Sequence, residues 1–212
     1  MTHLIRTLPN GKWRQNCYFV FDDNSRLSLI IDPGSDAPFI QGELSKLELT
    51  PIAIVNTHAH YDHIGAVASL MDYYKIPFYL NSADAKLMKQ ANIYKFLFES
   101  IESVIIPQAT HELASQMAIL QLDDFKLSIL CTPGHTNGST CLKIGTDLFS
   151  GDTLLSSGPG RTDLPGGDKV ALAKSLDVLR NLPDETKVWP GHGKSFRLGC
   201  LWKKLDQAEG AN

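Results

Sequence analysis

One stretch constrains this chain more than any other. The apolar run Ile52-Ala53-Ile54-Val55-Asn56 opens after Pro51 and reads as a fully buried strand, and His58-Ala59-His60-Tyr61-Asp62-His63 follows it almost at once. Four metal-ligand side chains therefore leave the end of a strand within six positions. Imidazoles and carboxylates are ligands for first-row metals, and crowding them together without an ion would be costly. A fold that presents the end of a sheet to a metal is therefore required.

Three later segments share this grammar: Thr132-Pro133-Gly134-His135-Thr136, Ser150-Gly151-Asp152-Thr153 and Pro190-Gly191-His192-Gly193. Each closes an apolar run, and glycine beside a ligand allows a sharp turn and a close backbone approach. With the first cluster they supply seven candidate ligands: His58, His60, Asp62, His63, His135, Asp152 and His192. A single catalytic zinc takes three protein ligands and a water, so seven are enough for two ions. His3 and His111 carry no motif and read as surface or turn residues.

The 212 residues form a chain long enough for a real core, 43% of it hydrophobic and 20% charged. Disordered, collagenous and coiled-coil classes are excluded. A formal charge of −3 offers no basic field for nucleic acid or an anionic membrane, and no apolar run reaches the roughly 18 residues of a membrane span. Cys17, Cys131, Cys141 and Cys200 form no C-x-x-C pair and the N-terminus has no signal pattern, so free thiols in a cytoplasmic protein are expected.

Period and turn signals predict strands at Cys17–Asp22, Leu27–Ile31, Ile52–Asn56, Phe78–Leu80, Ser103–Ile106, Met117–Gln121, Phe125–Cys131, Thr140–Ile144, Asp147–Phe149 and Lys187–Trp189. Helices are predicted over 36–49, 65–74, 82–90 and 168–181, the last with Leu172, Leu176 and Leu179 on one face. Many strands are short and hairpin-linked, which favours two packed sheets with helices outside over a doubly wound parallel sheet. Tyr94, Phe96 and Phe98 read as core, Tyr79 as buried, and residues 209–212 as a frayed tail.

The pattern His58-x-His60-x-Asp62-His63, then His135, Asp152 and His192, resembles the metallo-β-lactamase-fold superfamily. Gly160-Arg161-Thr162-Asp163 and Pro190-Gly191-His192-Gly193 are most similar to its glyoxalase II-like (hydroxyacylglutathione hydrolase-like) branch, and Asn16-Cys17-Tyr18 and Ile31-Asp32-Pro33-Gly34 resemble its early landmarks. The resemblance implies an α/β, four-layer αββα sandwich of two mixed sheets with helices on the outer faces. It would be a single domain over 1–212, without the C-terminal helical glutathione-binding domain of glyoxalase II. It also implies two divalent ions, zinc first with iron or manganese as alternatives. His58, His60 and His135 would hold one, Asp62, His63 and His192 the other, and Asp152 would bridge them.

The implied activity is hydrolysis of a small thioester or related ester by a metal-bound hydroxide, with Asp62 orienting the nucleophile. A thiolate leaves without a strong general acid, which favours thioester over amide. Asp152, where secreted β-lactamases of the superfamily have Cys, argues against antibiotic hydrolysis. Rival readings are a persulfide dioxygenase with one iron on His58, His135 and Asp152, a lactonase, and a non-catalytic binding module. Asp32, Thr57, Thr136 and Ser150 are candidates to stand behind the ligands or simply to satisfy turns, and Arg161 is expected to lock its loop through Asp163 in preference to gripping a substrate carboxylate. A monomer or homodimer without nucleic-acid or membrane partners is expected.

Overall fold

The computed structural model describes residues 3–113 and 118–209. Its backbone divides into two compact units, Met1–Ala114 and Ser115–Asn212, each built on one mixed six-stranded sheet. Both sheets carry helices, so the expected α/β class with two mixed sheets holds.

The first unit runs β1 (Leu4–Asn10), β2 (Gln15–Phe21), β3 (Leu27–Ile31), α1 (Ala37–Lys46), β4 (Thr50–Val55), α2 (Tyr61–Ile64), α3 (Val67–Tyr74), β5 (Phe78–Leu80), α4 (Ala85–Lys89), α5 (Ala91–Phe98) and β6 (His111–Glu112). Its strands lie in sequence order, antiparallel from β1 to β3 and parallel from β3 to β6. All seven residues of β2 are buried, as befits a strand covered on both faces. Phe19, Ile30 and Ile54 from the sheet meet Ile40, Leu44, Val67 and Leu70 from α1 and α3 in one core. Asp36 caps α1, its Oδ1 accepting from Phe39 N at 3.0 Å, with Pro38 in the first turn where its missing N–H costs nothing.

The second unit runs β7 (Ile119–Leu122), β8 (Phe125–Cys131), β9 (Thr140–Ile144), β10 (Asp147–Gly151), the short hairpin β11 (Leu154–Leu155) and β12 (Gly158–Pro159), α6 (Lys169–Arg180), β13 (Lys187–Pro190), β14 (Phe196–Arg197) and α7 (Leu198–Glu209). Strands β7 to β10 are antiparallel neighbours, and β13 lies parallel to β10. Cys141, Leu148 and Val188 pack with Leu179 of α6 and Leu198, Leu201 and Trp202 of α7. Asp168 caps α6 twice over, accepting from Val170 N at 2.8 Å and Ala171 N at 3.0 Å.

Three sequence readings need correction. Ser103–Ile106 is not a strand: Val104 gives its N–H and C=O to the Asn92 side chain, at 2.8 and 3.0 Å, instead of to a strand neighbour. Phe96 and Phe98 are not core. They sit on α5, which pattern reading missed, and are 63% and 48% exposed, while Tyr94 alone of the three packs partly against the core. β1 and α7 were also not foreseen; β1 is an edge strand with Pro9 in it and only Leu8 and Asn10 buried, so it carries little strand signal. Of the expected tail over 209–212, Glu209 is helical and closes α7, whereas residues 210–212, like Met117, lie outside the described residues.

Candidate metal centre

In the first unit, β3 and β4 are parallel neighbours and end on the same side of their sheet. Asp32 leaves β3 with φ 49°, a left-handed conformation that aspartate tolerates better than most residues. Its buried carboxylate takes Thr57 N at 2.7 Å and Thr57 Oγ1 at 2.6 Å, and Oδ2 also lies 3.0 Å from His63 Nδ1. Because the Thr57 hydroxyl donates to Asp32, its oxygen is left to accept from His58 Nδ1, 3.0 Å away. Both rings are thus gripped at Nδ1, and Nε2 is the atom that remains for a metal.

His60 sits at the N-terminus of the single-turn α2, its carbonyl accepting from His63 N at 2.9 Å. His60 Nδ1 lies 3.1 Å from His58 Nε2, the His58 and His63 ring centroids are 4.0 Å apart, and His63 Nε2 is 3.9 Å from Asp62 Oδ2. Asp32, His58 and His63 offer ligand atoms within 4.8 Å of one another. All four members of the sequence cluster are therefore gathered by this one strand end.

The turn is held by residues that the sequence did not single out. Asn56 Nδ2 donates to His63 O at 2.9 Å, Asp84 Oδ2 accepts from Ala59 N at 3.0 Å, and Gln15 Nε2 donates to Asp32 O at 3.0 Å. Asn56 and Asp84 thus direct buried bonds to the ligand loop, and Gln15 directs one to the turn that carries Asp32. Burial, and then the adjacent Asp62 charge, push the Tyr61 phenol up to about 12. Burial, with Asp32 adding to it, raises the Cys17 thiol well above the ordinary range.

In the second unit, β8 and β10 run in the same direction with β9 antiparallel between them, and β13 is parallel to β10. His135, Asp152 and His192 follow β8, β10 and β13, so all three leave the same end of the sheet. Gly191 N donates to Gly151 O at 2.8 Å and ties two of these ends together. Asp152 Oδ2 lies 3.7 Å from His135 Nε2 and 3.6 Å from His192 Nε2. Those spacings are too long for hydrogen bonds and suit donors about 2.0–2.2 Å from a shared ion.

His135 Nδ1 donates to the Arg161 carbonyl at 2.8 Å, again leaving Nε2 for a metal. The Arg161 side chain makes a two-pronged pair with Asp163, Nε to Oδ1 at 2.8 Å and Nη2 to Oδ2 at 2.6 Å, so it locks the loop as expected. That bond holds the Asp163 carboxyl down at about 2. Two glycines are enforced by close approach. A Cβ on Gly160 would overlap the Asp152 carbonyl oxygen, and one on Gly134, at φ 141°, would overlap the backbone of Leu172 in α6.

Of the four residues expected behind the ligands, Asp32 and Thr57 are there. Thr136 bonds Ser139 Oγ at 2.9 Å, and the Ser150 hydroxyl donates to Leu154 O at 2.7 Å within its own turn. Tyr79 is buried, and His111 is exposed and stacked on it. Among the described residues no helix is long and apolar enough to cross a membrane.

The family model for the metallo-β-lactamase superfamily matches residues 10–192. A probable metallo-hydrolase, YqgX of Bacillus subtilis, is 36% identical over 192 residues, covering 89% of each chain. Hydroxyacylglutathione hydrolase GloC of Haemophilus influenzae is 32% identical over 211 residues, 92% of this chain and 93% of that one. Among solved structures, the BLEG-1 B3 metallo-β-lactamase superposes with a TM-score of 0.87 at 34% identity, over 96% of this chain and 97% of that one. A di-iron-bound form of TTHA1623 superposes with a TM-score of 0.82, also at 34% identity, over 92% and 95%. Family model, full-length relatives and superposed structures agree, and the chain belongs to the metallo-β-lactamase superfamily.

Proposed function

We propose that this protein is a binuclear metal-dependent hydrolase of small thioesters or related esters. The observation that carries this reading is the shared design of His58, His63 and His135, whose Nδ1 atoms are each held by an oxygen of the protein, leaving Nε2 as the ligand atom. The donor set fits first-row divalent ions such as zinc, iron or manganese. His58, His60 and His135 would hold one ion and Asp62, His63 and His192 the other, with Asp152 between them. When bound, such a pair lowers the pKa of water towards neutrality and polarises a carbonyl oxygen.

The protein's own share of the chemistry is orientation. Asp32 and Thr57 fix two imidazole tautomers, and Asn56 and Asp84 fix the turn that carries Asp62. Asp62 is the residue proposed to orient the nucleophile and accept its proton. A thioester is favoured because its thiolate leaves without a proton donor. The likeness to GloC, whose name describes hydrolysis of a hydroxyacylglutathione, points the same way. Four free cysteines among the described residues fit a reducing, cytoplasmic setting.

The test is a panel of thioesters, esters, lactones and one β-lactam assayed with protein reconstituted separately with zinc, iron and manganese, alongside oxygen uptake with a glutathione persulfide. The β-lactam belongs there because a B3 metallo-β-lactamase superposes closely, which weakens the argument made from Asp152 alone. Thioester turnover above all others is expected. Persulfide-dependent oxygen uptake by protein holding one iron per chain, with no ester hydrolysis, would overturn the proposal.

A further inference from the structure

Helix α5 is built inside out. At 100° per residue its inward face carries Ala91 and Lys95, and the opposite face carries Ile93, Phe96 and Leu97, which are 57%, 63% and 63% exposed. Lys95 is buried because it is neutralised: Nζ lies 3.2 Å from Glu99 Oε1 and 3.1 Å from Ser100 Oγ. After the helix the chain doubles back, and the paired bonds between Asn92 and Val104 set the following Ile105 beside the outward face while Val104 and Ile106 turn into the core. Ile101 and Ile105 add further exposed apolar surface, at 86% and 69%.

The five of these outside the inward face, Ile93, Phe96, Leu97, Ile101 and Ile105, present on the order of 650 Å². That lies above the roughly 300–600 Å² of the largest patch on a typical monomer and is most of the roughly 800 Å² each partner buries in a standard interface. Small ligands need enclosing walls and converging polar groups, and a helix face offers neither. Helices that lie on membranes turn a Lys- and Arg-rich face outward, whereas α5 buries its one lysine against a glutamate in a chain of net charge −3. An apolar face on a convex helix, here Ile93, Phe96 and Leu97, can pack on its own copy across a two-fold axis.

We infer that α5 and the segment 99–105 form a two-fold interface with a second copy of this chain. The inference is independent of the metal chemistry. The experiment is sedimentation equilibrium of wild type, a Phe96→Asp/Leu97→Asp double variant, and Tyr73→Asp, which charges an exposed apolar residue on α3 instead. Wild type and Tyr73→Asp are expected at twice the chain mass at micromolar concentration, and the double variant at the chain mass. Its dimer dissociation constant should rise at least about 100-fold. Unchanged far-UV circular dichroism and metal content in the double variant would show that it remains folded, since both side chains point outward. Wild type at the chain mass at about 100 μM, where even weak dimers assemble, would overturn the inference. So would a double variant that dimerises like wild type, equal dissociation of Tyr73→Asp, or sedimentation of wild type with phosphatidylcholine–phosphatidylglycerol vesicles that the double variant loses.

Discussion

The two units solve the same problem by different means. In the first, four candidate ligands are packed into six residues, and side chains hold them: Asp32 and Thr57 behind the rings, Asn56 and Asp84 on the turn. In the second, three candidate ligands come from three strand ends, and main chain holds them: the Arg161 carbonyl behind His135, the Gly191–Gly151 bond between two strand ends, and Gly160 against the Asp152 backbone. A single strand end can be stiffened locally by polar side chains. Separate strand ends must be brought together by the sheet itself, and the backbone has to come close enough to fix them.

The comparison predicts opposite sensitivities. The largest effect should come from Gly160→Ala, where the added methyl has only backbone to displace. A loss of about 3 kcal/mol in denaturant unfolding is expected, together with lost metal at the second-unit ligands, because an overpacked methyl has no soft neighbour to push aside. A neutral result would mean that the loop yields and that main chain is not what holds Asp152.

Next in size is Asp32→Asn in the first unit, a change that keeps a residue tolerant of φ 49° and removes the negative charge. Competition with a chromogenic chelator should show metal affinity reduced about 10–100-fold, the usual consequence of losing the group behind a histidine ligand. Unchanged affinity would remove Asp32 from the account. Thr57→Val, losing one bond of the same chain, should follow in the same direction by a smaller factor.

Thiol accessibility sharpens the contrast in burial. Exposed Cys200 should react with a disulfide reagent at pH 8 long before Cys17, raised well above its ordinary value, or Cys141, which burial pushes to about 11. Simultaneous reaction of all the thiols in folded protein would contradict the packing described.

The smallest effect belongs to the Arg161–Asp163 pair. The Asp163 carboxyl is depressed, so the pair's contribution is fully present above the ordinary carboxylate range and is lost as pH falls through about 2. Both side chains are exposed, and the group that holds His135 is a main-chain carbonyl. Asp163→Asn should therefore leave metal content at pH 7 unchanged.

The same contrast explains what could be read from sequence. Histidines at 58, 60 and 63 announce themselves because local crowding is itself the signal, Thr57 adjoins the cluster, and Asp32 stands in the Ile31-Asp32-Pro33-Gly34 segment that resembles a superfamily landmark. Asn56, Asp84 and Gln15 were not, because a buried amide or carboxylate aimed at a loop leaves no periodic trace. The Arg161 carbonyl has no sequence signature at all. Strands such as Phe125–Cys131 and Thr140–Ile144 were bounded correctly by their turn residues, whereas α5 defeated the expectation that aromatics go inside by burying its lysine and exposing its phenylalanines.

The central claim is that the ligands of both units serve a pair of ions with Asp152 between them. Elemental analysis of reconstituted wild type and Asp152→Ala tests it most directly, with thioesterase activity measured on the same samples. Two ions per chain in wild type, with metal and activity lost together in the variant, is the predicted result. An Asp152→Ala protein that keeps both ions and full activity would contradict the account.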